Sequence, residues 1–408
     1  MKADINTKFL DGLRVIFALW VVLDHFYAYI GGSNYMHIPF GEQLLNGSIP
    51  VSGFMIITGF LMMYHYLLRQ EIEPPNRSFT IFHFWLRRLF RLYPIYLIAI
   101  IIAFFTNPIR DKYSIFILEY FTNGNLNGYG EMLTHSIYYP SIGDFISHLT
   151  FLHGLIPQYV VSILGPAWSL SLEMQFYILF PFLFLLFFFN KKRIDLSVTF
   201  LLLITTIVSL IMPFIFGIYS TKGLLTTFPQ PSVILYQLPL FVYGMLLATV
   251  ALKKVKWNFL ILGVISVALT QGKITVLIVI MLTVLMFLDV IKEKVFIIRP
   301  FYKILKRVND LLSSTMANFG ANLSYSVYLL HLILLPFVVG ITIYLLSLVT
   351  TNKSIVVVIS LIMFLFINII ISYWLYFKIE LRFIKWGKTV LNSNKLKKDN
   401  KKTLKHNI

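Results

Sequence analysis

Between Phe9 and Phe377 the chain is a succession of long apolar segments broken by short polar or basic stretches. A run of about 20 apolar residues has the length of a helix that crosses the hydrocarbon of a bilayer. In lipid the backbone must satisfy its own hydrogen bonds, so a single apolar segment has one stable form there, the α-helix. Ten spans are expected, over residues 9–30, 48–68, 89–106, 168–189, 196–217, 233–251, 257–270, 274–290, 323–346 and 355–377. The seventh and eighth are separated only by Gln271, Gly272 and Lys273, and the seventh is short. Composition agrees: 58% of residues are hydrophobic, 13% are charged and the mean hydropathy is +0.79. That is far from the range of soluble globular domains. The expected fold is therefore all-α, a polytopic membrane protein, with 1–378 as the embedded core and 379–408 as a basic cytoplasmic tail. A weaker apolar stretch over 145–156, ending at Pro157, reads as a re-entrant or interfacial segment.

Charge placement sets the expected orientation. The formal net charge is +18, and the basic residues are unevenly distributed. With the N-terminus in the cytoplasm, the inside segments hold Lys2, Lys8, Arg69, Arg77, the Arg87–Arg91 cluster, Lys191–Arg193 and the lysine-rich C-terminal run. The outside segments hold only Arg110, Lys112, Lys222, Lys273 and Lys353. This is the positive-inside pattern, which places both termini in the cytoplasm; the expected location is the plasma membrane. The tail reads as a solvated anchor beside anionic membrane lipid, and no nucleic-acid partner is expected. The first segment carries Asp11, Arg14, Asp24 and His25 and no small-residue cleavage site follows it, so it is expected to be retained. No cysteine is present, which excludes thiol chemistry and disulfides. The stretch from Asn107 to Ala167 is expected as a long outer loop, either shaping a sugar-binding surface or merely irregular.

Ionisable groups at membrane depth are costly and usually face a protein interior or a watery cavity. Arg14 and His25 are eleven residues apart, so they share one face of a helix at a separation of roughly 16 Å. His25 and Glu173 each lie five residues from the expected outer end of a span, hence level at a depth of roughly 8 Å. A carboxylate beside an imidazole fixes its tautomer and stabilises the imidazolium formed on proton abstraction; a buried polar pair has the same arithmetic. Arg88 and Arg91, with Arg87 close by, are neighbours on one helix face at the inner surface. Two guanidinium forks suit phosphate oxygens, although arginines flanking a span are also topology signals. His331 lies farther into its span and either lines the same cavity or bonds a neighbouring helix. Asp24 is rotated about 100° from His25 and need not share its cavity. No metal-ligand spacing is evident and no metal is expected.

These residues sit in blocks that resemble the acyltransferase 3 family of integral-membrane acyltransferases. FLDGLRVIFALWVVLDHF resembles the family's first helix, with its basic residue and histidine at Arg14 and His25. VSGFMIITGFLM is similar to its second helix. RRLFRLYPIY is similar to its Arg-x-x-Arg motif, here Arg88 and Arg91 ahead of Pro94. PAWSLSLEMQFYILFP resembles the Trp-Ser-Leu-x-x-Glu signature, which puts Trp168 and Ser169 beside the cavity and the acidic residue at Glu173. LPLFVYGMLLA and SYSVYLLHLI resemble two further blocks, the second with His331. The departures at Asp24, Thr58, Met174 and Gln237 bear on the acceptor and the acyl group rather than on the fold.

The resemblance implies an O-acetyltransferase that uses acetyl-CoA or another acyl-CoA as donor substrate, with no permanently bound cofactor. The implied acceptor is a hydroxyl of a bacterial surface polysaccharide or its lipid-linked precursor. His25 is then the central catalytic residue, as base or as nucleophile, and Glu173 supports it. Arg14, Arg88 and Arg91 help to hold the acyl-CoA, and His331, Trp168 and Ser169 line the substrate cavity. Some relatives carry a further extracytoplasmic domain, so this core is expected to act alone or with a partner in a glycan-synthesis complex. The rival reading is a glycan or lipid transporter with Arg, His and Glu along its path; a scaffold for glycan synthesis is a third.

Overall fold

The computed structural model describes residues 6–32, 46–122, 137–294 and 298–391. Thirteen α-helices dominate those residues: α1 (Phe9–Tyr29), α2 (Ser48–Arg69), α3 (Ser78–Thr122), α4 (Ile142–Leu149), α5 (Ala167–Phe187), α6 (Ile194–Ile215), α7 (Ile234–Ala251), α8 (Phe259–Thr270), α9 (Lys273–Met286), α10 (Leu288–Lys294), α11 (Tyr302–Leu312), α12 (Thr315–Ser347) and α13 (Lys353–Leu375). Two three-residue strands, β1 (Phe216–Ile218) and β2 (Thr226–Phe228), pair in parallel after α6. Among the described residues seven helices are long and apolar enough to cross a membrane: α2, α3, α5, α6, α7, α12 and α13, the last counted as Lys353–Leu391. α1 has comparable length but carries Asp11, Arg14, Asp24 and His25.

The two short apolar helices α8 and α9 have 12 and 14 residues. At a rise of 1.5 Å per residue each reaches only about 20 Å, less than the hydrocarbon core. The expected seventh and eighth spans are therefore a hairpin of two short helices. Across the bundle, large apolar side chains remain exposed along single faces, among them Leu203, Ile207, Ile211 and Phe214 on α6 and Ile362, Phe366, Ile369 and Ile370 on α13. Faces of this extent need lipid to cover them.

The expected outer loop departs most from the sequence reading. α3 is 45 residues long and runs past Pro94 and Pro108 to Thr122, so the first part of the stretch from Asn107 is helix. Its extension carries Ser114, Ile117, Leu118 and Phe121 on a buried face. α12 offers Gly340 there, where a Cβ would lie 2.3 Å from the Tyr113 ring. Arg110, counted above as an outer charge, is buried; it donates to the Ile163 carbonyl at 2.7 Å and to Asn107. Residues 123–136 of that loop lie outside the described residues. The apolar stretch over 145–156, read above as re-entrant or interfacial, forms the end of α4 and a 3-10 turn. It is pinned by Tyr96 Oη on the His148 carbonyl at 3.0 Å and by Ser171 Oγ on the Phe151 carbonyl at 2.6 Å.

Two glycines decide how closely α2 and α7 approach. A Cβ on Gly59 would lie 2.1 Å from the Phe241 carbonyl oxygen, and one on Gly244 would lie 2.1 Å from the Ile56 oxygen. Small residues at such crossings bring backbones together where no hydrophobic force between helices exists in lipid. Around this contact Phe17, Phe60, Phe176, Phe180 and Phe241 form the larger core. A second core lies where α1, α3, α12 and α13 meet, around Phe26, Phe121, Val339 and Phe364.

α13 does not end at Leu375. A π-helical turn over Tyr376–Glu380 carries the chain into a further helical stretch, 381–391. The division placed at residue 378 thus falls inside a continuous helix, while most of the lysine-rich tail, 392–408, lies outside the described residues. The close crossing makes a direct prediction. Gly244→Leu should lower the stability of the purified protein by about 1–3 kcal/mol, as overpacking does. Gly272→Ala, where a Cβ meets nothing within 4 Å, should leave the melting temperature in detergent unchanged.

Candidate active site

A narrow cavity of about 100 Å³ lies among α1, α2, α3, α5 and α12. Arg14, Arg88 and Arg91 line it together, with Thr58, Ser169, Glu173, Tyr177 and Tyr328 on its walls. Arg14 is brought there by the inward face of α1, and Arg88 and Arg91 by the one-turn spacing that places them on a common face of α3. Arg14 is 3.8 Å from Asp11 across one helical turn. The Arg88 guanidinium carbon is 5.7 Å from the ring centroids of both Phe84 and Tyr177. Its Nε is buried without a hydrogen-bond partner. A buried donor left without an acceptor is costly, and an anion in the cavity would relieve it.

A second cavity, of about 450 Å³, adjoins this one, and Met62, Arg88 and Arg91 line both. The larger one adds His65 and Arg69 from α2, and Ile384, Gly387 and Lys388 from the helix after the π turn. Arg87 and Glu73 also line it, joined through a bidentate pair at 3.0 and 2.8 Å. The expected arginine cluster is thus divided by tertiary structure: Arg88 and Arg91 face the cavities and make no salt bridge among the described residues, and Arg87 is held by Glu73.

Glu173 belongs with the arginines. Thr58 Oγ1 donates to its carboxylate at 3.3 Å, and Tyr177 Oη, one turn along α5, donates to the same oxygen. Sequence reading placed this carboxylate beside His25. The two are on helices whose side chains turn to different neighbours, and equal depth along two helices does not fix rotation about either axis.

The partner of His25 is His331. His331 Nε2 lies 3.2 Å from His25 Nδ1, and the ring centroids are 4.9 Å apart. His25 Nδ1 is also 2.9 Å from the Val21 carbonyl oxygen, and His331 Nδ1 contacts the Tyr328 carbonyl oxygen. A carbonyl only accepts, so each Nδ1 carries the proton in the neutral imidazole. His331 Nε2 then holds a lone pair toward His25 Nδ1–H, and His25 keeps its own lone pair on Nε2. That nitrogen is the group suited to take a proton or attack a carbonyl carbon. His331 is fully buried and does not line the cavity; it touches it through Tyr328, whose hydroxyl is 2.7 Å from Ser169 Oγ. Trp168 is turned into the core. Asp24 accepts from the Gly47 backbone N–H, at the start of α2 and away from His25, where a helix N-terminus favours a negative charge.

Sequence reading did not single out Tyr177, Tyr328, His65, Arg69 or Lys388. Tyr177 is four residues after Glu173 and Tyr328 three before His331, spacings that mark helix neighbours. No pattern in the sequence marks Lys388, which joins the site only through the turn that follows α13. The tautomer assignment is testable without any substrate. ¹⁵N spectra of histidine-labelled protein should show His25, in its neutral form, protonated at Nδ1. His331→Leu should broaden that preference by removing one of the two acceptors.

A family model described as an acyltransferase domain, that of acyltransferase 3, matches residues 7–377. Comparison with curated proteins and with solved structures gave no match. The matched stretch contains Arg14, His25, Arg88, Arg91, Glu173 and His331, and stops before the helix that carries Lys388. It covers most of the chain, and the apolar helices fit a multi-pass membrane protein. The chain belongs to the acyltransferase 3 family and is a membrane acyltransferase.

Proposed function

We propose that this protein transfers acetyl from cytoplasmic acetyl-CoA to a hydroxyl of a bacterial cell-surface or lipid-linked glycan, at the plasma membrane with both termini in the cytoplasm. The observations that carry the reading are Arg14, Arg88 and Arg91 lining one cavity and, on α1 and α12, which also wall it, the paired imidazoles of His25 and His331. The guanidinium groups of Arg88 and Arg91, which make no salt bridge among the described residues, suit the phosphates of a CoA ester. The narrow inner cavity suits the slim arm that carries the thioester, and not a nucleotide.

In this mechanism His25 Nε2 takes the proton from the acceptor hydroxyl as its oxygen attacks the thioester carbonyl carbon. The new C–O bond forms, and the tetrahedral intermediate collapses with cleavage of the C–S bond. The departing sulfur takes the proton back from His25, which releases CoA thiol and the ester. His331 accepts a hydrogen bond from His25 Nδ1–H throughout. It thereby orients the ring and spreads the charge of the transient imidazolium, the task a carboxylate performs in other triads. Glu173 holds Thr58 and Tyr177 against the cavity wall and offsets part of the arginine charge when the donor is absent.

The test is transfer of radiolabelled acetyl from acetyl-CoA to surface glycan in membranes, with variants at matched expression. His25→Ala should lower transfer by about 10²-fold or more, the scale of a lost general base. His331→Leu should lower kcat about tenfold, and His331→Gln, whose amide oxygen also accepts from Nδ1–H, should restore part of it. Arg88→Gln should raise KM for acetyl-CoA more than it lowers kcat. Equal labelling by wild type and His25→Ala would overturn the role of His25. Labelling from succinyl-CoA in place of acetyl-CoA would move the proposal to another acyl group.

A further inference from the structure

The helical stretch 381–391 forms one wall of the larger cavity, although it lies beyond the segment matched to the family. It is docked there by packing. A Cβ on Gly387 would meet the Phe90 ring at 2.8 Å, and Trp386 sets its ring edge-on to Phe90 with centroids 5.2 Å apart. Phe90 stands between Arg88 and Arg91 on α3, so this contact brings the following turn over the arginine face. The π turn over Tyr376–Glu380 supplies the change of direction: its extra residue per turn rotates the helix beyond it, and such turns recur at functional sites. Lys388 thereby reaches the cavity opposite Arg69, the last residue of α2.

The cations of this mouth fall into two tiers. Arg88 and Arg91 sit at the junction with the inner cavity, and Arg69 and Lys388 line only the outer one. Among the described residues lining this mouth the acidic one is Glu73, and it is tied to Arg87. The outer cavity, at about 450 Å³, has the volume of a small-molecule site, whereas the inner one does not. Resting on the proposed acyl-CoA reading, a CoA ester inserted thioester-first would leave its pyrophosphate at the inner tier and its adenosine end at the outer. That end carries a phosphate monoester on the ribose, the most charged single group of the molecule at neutral pH.

We infer that Lys388, with Arg69, forms a subsite for the ribose 3′-phosphate of the donor, built by the C-terminal helix. The helix is thus a specificity element of the donor site. Lys388 is solvent-exposed, so its replacement leaves the core intact.

The test compares two probes on the purified full chain in detergent: CoA, and dephospho-CoA, which lacks only the 3′-phosphate. Wild type should bind CoA the more tightly. Lys388→Gln should weaken CoA about threefold and leave dephospho-CoA unchanged, and Lys388→Glu should weaken CoA about tenfold, the scale of an exposed charge pair and its reversal. Lys388→Arg should retain the preference. The preference should also shrink as salt is raised. A wild type that binds both probes equally would overturn the subsite and leave the acyl-CoA reading standing. A Lys388→Gln that weakens both probes alike would do the same, since it would mark a general electrostatic effect. Binding of neither probe by wild type would overturn both readings.

Discussion

Three guanidinium groups facing one cavity inside an apolar bundle set the terms for the rest of this structure. A charge taken out of water is expensive, and the expense is offset only where neighbours or a ligand supply opposite charge and hydrogen bonds. Here the supply is partial. Glu173 stands among Arg14, Arg88 and Arg91 in the cavity, and Glu380, almost wholly buried, bears on Arg91 and Arg14 from the π turn. The aromatic faces of Phe84 and Tyr177 support Arg88. Asp11 pairs with Arg14 across one turn, and what remains is one orphaned donor, Arg88 Nε, which an anion would satisfy.

Such a site needs a rigid frame. In lipid the frame comes from close packing rather than from exclusion of water, and the crossing of α2 and α7 at Gly59 and Gly244 is its tightest point. α2 brings Thr58 to the carboxylate at that level, and Gly59, the next residue, permits the helix crossing. The His25–His331 pair is framed separately by the second core, which joins α1 to α12 through Val22, Phe26, Leu335 and Val339. Two cores therefore hold the two halves of the site, with Tyr328 linking them: its carbonyl meets His331 and its hydroxyl meets Ser169.

How much of this was legible beforehand differed by residue. Arg14, Arg88 and Arg91 were marked by charge in apolar surroundings, and the structure does bring all three to one cavity. The partner of His25 was not legible. Depth along a helix follows from residue count, but the direction a side chain faces among neighbouring helices depends on how they are rotated and packed. Glu173 and His331 are both at plausible depth, and only packing selects the imidazole. The outer loop was misread for a related reason. Asn107, Pro108 and Arg110 look like loop residues, yet the helix continues because a buried apolar face and the carbonyl of Ile163 receive them.

The sequence by itself determined that this chain is a helical membrane protein, which segments are apolar helix though not how far α3 extends, and which ionisable residues lie in apolar surroundings. Those conclusions rest on hydrophobic length, backbone hydrogen bonding and the expense of buried charge, all of them local or additive along the chain. The tertiary structure alone decided which arginine is neutralised by Glu73, which side chain meets His25, and that residues 381–391 form one wall of the larger cavity. Each of these depends on contacts between segments far apart in the chain, and on a π turn whose rotation no residue pattern announces.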